Sequence, residues 1–271
     1  MNSKERMELI AKSSITFNYL RRINIAAGIL HSITGVLMLI LGALLEWERP
    51  IYTFYLKFDV SQIPFRIYPN PQVFFTLSNL GVLVASFPLM SAIAHFTIAF
   101  PKFNKYVENL KKGINPYRWY EYFFSSSVMI VLIAIFIGVL DFWSLVMIFA
   151  LNAITMMFGY LMELLNQYTE KTNWTPFILG CFTGAVPWVV LFAYFYAAVS
   201  SAGTSPPAFV YAIFFIYFIV FNIFALNMLL QYKGVGKWKN YLYGERMYII
   251  LSLTAKTILA WLVFIGVFAP F

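Results

Sequence analysis

Four side chains that could do chemistry stand in stretches that are otherwise apolar: His31, His95, Glu121 and Lys256. A lysine at mid-bilayer costs about 2.5–3.5 kcal/mol on insertion scales, so something must compensate it. Desolvation loosens its proton and makes the amine a nucleophile able to form a Schiff base with a carbonyl compound. The protonated adduct is again a cation, and one nearby carboxylate is the counterion it needs. Glu121 is the candidate for that carboxylate.

Depth, taken from the helical rise, groups these residues. His31, His95 and Glu121 each fall roughly 9–14 Å inside the same boundary, and Lys256 roughly 15 Å from Arg246, so its amine can reach back to their layer. A start of the last helix at Leu242 lengthens that gap by about a turn and a half and strains the pairing with Glu121. Ser252 lies one turn from Lys256, Ser91 one turn from His95, Ser125 one turn from Glu121, and Thr34 with Gly35 one turn from His31. Such small and hydroxylated neighbours leave room for polar contacts. The plainer reading is a buried ion pair that fixes helix register, with each serine bonding its own helix and the histidines bonding backbone carbonyls. Intramembrane ionisable groups are nevertheless functional by default.

The elements that must position these groups follow from composition. Of the 271 residues, 61% are apolar and only 11% charged, against roughly 25% charged in an ordinary soluble domain. Disorder, a disulfide scaffold and a cytosolic enzyme are excluded, and the lone Cys181 is expected only to pack. Charge-free runs predict an all-α membrane protein of one domain, with helices over about 23–45, 72–100, 116–140, 142–165, 174–202, 206–232 and 243–268. The last requires Lys256 within it. Residues 46–70 alternate Tyr52, Phe54, Leu56 and Phe58 with more polar positions, turn at Ser61 to Pro64 and resume at Phe65 to Tyr68, which predicts an extracellular β-hairpin.

Lysine and arginine collect around the N-terminus, the second and fourth connections and the sixth, whereas the opposite side has Arg49, Lys57 and Arg66. This places the N-terminus in the cytoplasm and the C-terminus outside. The net charge of +8 is thereby explained by topology and the anionic inner leaflet, without nucleic acid. The glycosylation-like Asn173-Trp174-Thr175 then faces inward, and Glu163 reads as an interfacial group facing the cytoplasm. No cleaved signal peptide is expected from the mixed-charge N-terminal stretch. No metal-ligand spacing, nucleophile elbow or phosphate-cradling glycine loop points to an enzyme.

Two segments resemble a known family. Tyr243-Gly244-Glu245-Arg246-Met247-Tyr248-Ile249-Ile250-Leu251-Ser252-Leu253-Thr254-Ala255-Lys256-Thr257-Ile258-Leu259-Ala260-Trp261 is similar to the last helix of heliorhodopsins, and Arg118-Trp119-Tyr120-Glu121-Tyr122-Phe123-Phe124-Ser125-Ser126-Ser127 to their third. The likeness extends over essentially the whole chain, including the inverted orientation and the long first loop. It implies all-trans retinal bound covalently to Lys256, Glu121 as counterion, Ser252 near the Schiff base and His31 and His95 in a polar cavity. It also implies a homodimer held partly by the hairpin and a slow photocycle that senses light, with an unidentified cytoplasmic signalling partner. Ordinary microbial rhodopsins usually carry Asp where this chain has Ser252.

A retinal chain needs an apolar, aromatic slot. Asn152 and Met156 on the fourth span, Trp188 beside Pro187 on the fifth, and Tyr211, Phe214, Phe215, Tyr217 and Phe218 on the sixth are candidates, although membrane aromatics commonly just pack. Beyond Glu121 the third span carries nothing ionisable before Asp141, and the fifth and sixth carry no Asp, Glu, His, Lys or Arg. That pattern favours a sensor over a pump. The alternatives are a light-gated proton-conducting channel and a retinal-independent transporter of ions or small anions.

Overall fold

The computed structural model describes residues 3–61, 63–201 and 208–268. A short helix α1 (Ser3–Ala11) precedes α2 (Phe17–Gly42), then strands β1 (Arg49–Asp59) and β2 (Arg66–Leu77), α3 (Leu80–Ala99), a short α4 (Phe103–Lys111), α5 (Pro116–Ile137), α6 (Phe142–Leu165), α7 (Thr175–Ser201), α8 (Ala208–Lys233), a 3-10 turn (Gly236–Lys239) and α9 (Tyr241–Phe268). Seven of the described helices, all but α1 and α4, are long and apolar enough to cross a membrane. The architecture is an all-α membrane bundle with one antiparallel hairpin. The expected end of the fifth span at 202 and start of the sixth at 206 lie outside the described residues.

Local chemistry sets where the helices begin and end. The Thr16 hydroxyl accepts from Tyr19 N–H and caps α2, which therefore starts six residues earlier than the charge-free run and includes Arg21 and Arg22. Arg21 Nε then donates to the Ala99 carbonyl at the end of α3, supplying a partner that a helix C-terminus lacks. Asn115 caps α5 with Pro116 at its first position, and Gly138, at φ +100°, stops it short of the expected Leu140. Asp141 caps α6 through Ser144 N–H at 2.8 Å.

The hairpin is longer than its sequence pattern. Gln72 to Leu77, expected as the start of the second span, pair instead with Arg49 to Thr53, and α3 begins only after the Asn79 cap. A charge-free run of Val73, Phe74 and Phe75 satisfies strand and helix alike, so hydropathy alone does not mark the handover. Within β1 only Ile51 and Thr53 are buried, while Phe54, Leu56 and Phe58 are exposed. A register irregularity between Ile51 and Tyr52 accompanies this. Tyr52 N–H donates to the Leu140 carbonyl at 2.8 Å and Trp143 Nε1 to Thr53 Oγ1 at 3.1 Å, fastening β1 to the α5–α6 turn.

The tightest helix crossing is α2 on α3, where Gly42 and Gly81 face each other and a Cβ on Gly42 would overlap the Gly81 backbone. Gly42→Ala is expected to destabilise the bundle by about 1–3 kcal/mol through overpacking, read as a lowered midpoint in thermal unfolding of the detergent-solubilised protein. Two apolar clusters fill the ends. One, with Met38, Ile51, Phe87, Met129 and Leu259, lies towards the hairpin, and the other, with Ile10, Leu20, Tyr106 and Leu242, beneath α1 and α4. The polar residues of interest lie between them.

Candidate functional site

Lys256 Nζ lies 3.2 Å from Glu121 Oε1 and donates to Ser252 Oγ at 2.8 Å. The two charged side chains are only 3% and 8% exposed. Helix α9 begins at Tyr241, the geometry expected to strain this pairing, and the pair forms all the same because the long lysine stem spans the difference. Ser91, on α3, donates to Glu121 Oε1 at 2.5 Å while also contacting the Phe87 carbonyl of its own helix at 3.0 Å. The amine also stands 5.0 Å from the centroid of the Tyr122 ring, where a π-face favours a cation. Three helices thus converge on one amine.

His31 and His95 stack with centroids 5.4 Å apart and planes 14° from parallel. His95 Nδ1 meets Asn24 Oδ1 at 2.7 Å. Both ring nitrogens of His31, and the hydroxyl of Ser125, are buried without a hydrogen-bond partner among the described residues. A second, much smaller cavity is bordered by Asn24, His95, Glu121, Ser252, Arg118 and Glu245. The histidine layer expected from residue depth is therefore one polar region with the lysine–carboxylate pair.

On the other side of Lys256 opens a cavity of about 430 Å³, within the roughly 300–1,000 Å³ typical of small-molecule sites. Asn152, Met156 and Trp188 all line it, together with Trp119, Tyr122 and Lys256. Asn152 donates to Ser126 Oγ at 2.8 Å and Ser127 Oγ at 3.0 Å, which fixes its amide. Trp188 is held edge-on by Phe218 and Phe221 at 5.1 and 5.7 Å. Of the aromatics expected from the sixth span, Phe218 reaches the cavity, whereas Phe214 packs behind Trp188 and Phe195. Cys181, expected only to pack, is exposed and borders the cavity.

The sequence reading of Glu163 is corrected. It is buried, 1% exposed, and does not face water. Its carboxylate accepts from Arg118, from Asn115 N–H at 2.9 Å, from Trp119 Nε1 at 2.7 Å and from the Tyr241 hydroxyl at 3.0 Å. Arg118 is buried too and also binds Glu245. Glu245 in turn accepts from Asn115 Nδ2 at 2.7 Å and from the Tyr106 hydroxyl at 3.0 Å. Burial, reinforced by the Glu245 carboxylate, holds the Tyr106 phenol well above its usual pKa, so it stays a donor. Arg118, Glu163 and Glu245 were hidden because all three stand at the edges of charge-free runs, where counting assigns them to water. Asn115-Pro116, a helix start that brings its own amide into the cluster, is the signal that could have found them.

Seven spans around a buried lysine, with a carboxylate partner and one apolar cavity, are the arrangement of a rhodopsin-like membrane protein. Residues 20–268 match the heliorhodopsin family, and the chain belongs to it. It is therefore a rhodopsin-like, light-sensing, multi-pass membrane protein of a family that carries retinal. No curated protein matches the sequence. The residues present fit that group, since the cavity is lined largely by apolar and aromatic side chains and includes one buried lysine whose amine lies beside one carboxylate.

Proposed function

We propose that the protein is a slow light sensor in which Lys256 holds retinal, all-trans in the dark, through a protonated Schiff base with Glu121 as counterion. The observation that carries this reading is that Lys256, whose amine lies 3.2 Å from Glu121, lines the 430 Å³ cavity. When bound, retinal supplies visible absorption and a light-driven change of shape by isomerisation to 13-cis. The chain's own residues do the rest. Glu121 neutralises the cation, Ser91 and Ser252 orient the charged pair, and Asn152, Met156 and Trp188 shape the slot and exclude water. His31, His95 and Ser125 line the polar side.

Pumping is not part of the proposal. A pump needs titratable groups on both sides of the amine, and α7 has no Asp, Glu, His, Lys or Arg within its described span while α8 has only Lys233, its last residue. The N-terminus is assigned to the cytoplasm, because most Lys and Arg lie in or beside the N-terminal stretch and the second, fourth and sixth connections, against Arg49, Lys57 and Arg66 on the opposite side. The hairpin, marginal alone in water, is assigned to pairing two copies outside the cell through exposed residues such as Phe54, Leu56 and Phe58. An unidentified cytoplasmic partner receives the signal.

A carboxylate at the amine end stabilises the ground state, in which positive charge sits there. Removing its charge lowers the excitation energy. Membranes supplied with retinal are expected to turn coloured, and both acidification and Glu121→Gln to shift the absorption maximum to the red. A blue shift or no shift in Glu121→Gln removes Glu121 from the counterion role. Colourless membranes with a light-independent flux of ions would support the transporter reading instead, and light-driven acidification or alkalinisation of an expressing-cell suspension would support conduction.

A further inference from the structure

Asn24 was not singled out by its sequence, yet it is 1% exposed and joins two buried polar groups. Its Nδ2 donates to the Leu20 carbonyl at 2.8 Å, and a carbonyl can only accept. That contact turns Nδ2 away from the histidine and Oδ1 towards it. The amide orientation, ordinarily a matter of assignment, is here fixed by its partner.

An amide oxygen has no hydrogen to give, so the 2.7 Å contact between Asn24 Oδ1 and His95 Nδ1 requires the hydrogen on Nδ1. We propose that Asn24 is a positioning residue that holds neutral His95 in its Nδ1–H tautomer, leaving Nε2 as the ring's only proton-accepting atom. The groups that face His95 are His31 on α2, stacked on it, and Glu121 on α5 and Lys256 on α9, which act on it through their charge. The consequence is directional. His95 cannot pass a proton through Nδ1 by way of Asn24, because the amide oxygen it faces carries none to exchange. This deepens the light-sensor reading but does not need it, since the tautomer exists with or without a chromophore.

The test is nitrogen-15 NMR of the full chain, ring-labelled at its two histidines and prepared without retinal at neutral pH. His95 is expected to show a protonated Nδ1 and an unprotonated Nε2. Asn24→Asp, whose carboxylate also only accepts, is expected to keep that pattern, whereas Asn24→Leu loses it to Nε2–H or a mixture. A His95 hydrogen on Nε2 in the wild type, or a pure Nδ1–H ring surviving in Asn24→Leu, overturns the proposal. If Asn24→Leu does not fold, the wild type and Asn24→Asp decide it, and an Nε2–H ring in either refutes it. Absence of colour with retinal would refute the Lys256 reading and leave this result untouched.

Discussion

Lys256→Ala is expected to abolish visible absorption completely in membranes supplied with retinal, with the protein still present at its proper mass. Lys256 is the only lysine within the described spans that borders the apolar cavity, so no second amine can take its place. The substitution has a structural cost as well, because Glu121 keeps Ser91 but loses its cation. Breaking a buried pair costs about 3–5 kcal/mol, and a folding failure would imitate loss of the chromophore. Lys256→Ala combined with Glu121→Gln separates the two, since it removes both charges. It is expected to recover stability towards wild type in thermal unfolding and to remain colourless. A coloured double variant would place the attachment elsewhere.

Arg118→Met is expected to be the most damaging single change at the opposite end of the polar core. Arg118 is the shared partner of Glu163 and Glu245, both buried, and its guanidinium also lies 3.9 Å from the Tyr248 ring centroid. Without it two carboxylates face each other away from water. A loss of about 3–5 kcal/mol or more follows from stranding buried charge, measured by denaturation in detergent. Neighbouring groups of one network do not add independently. Arg118→Met with Glu163→Gln and Glu245→Gln together is therefore expected to cost less than Arg118→Met alone. Equal losses would mean that the cluster acts only by packing.

The contrast between these two centres shows what the sequence discloses. Lys256 and Glu121 stand out because each interrupts a long apolar run, and a charge at that depth has few innocent explanations. Arg118, Glu163 and Glu245 are of the same residue types and as deeply buried, yet each adjoins a polar connection where hydropathy expects water. Asn24 is quieter still, because a neutral amide near a helix start barely disturbs a hydropathy profile. The spans themselves are legible from length and charge. The strand–helix handover near Leu77 is not, because aromatic and β-branched residues serve either state until a cap such as Asn79 decides it. The buried parity of β1 likewise depends on what the α5–α6 turn offers it, which is a tertiary fact.

The walls of the apolar cavity are unevenly held. In the most hydrophobic windows of α7 and α8 only 22% of residues are buried, against 50% in α3 and α5. Most of what α7 and α8 display meets lipid, a solvent that accepts one alkyl or aromatic group nearly as well as another. Trp188, Phe218 and Phe221 nevertheless come from these two helices. If the cavity holds retinal as proposed, the side of it that tunes the colour is thus the side least constrained by packing within the bundle.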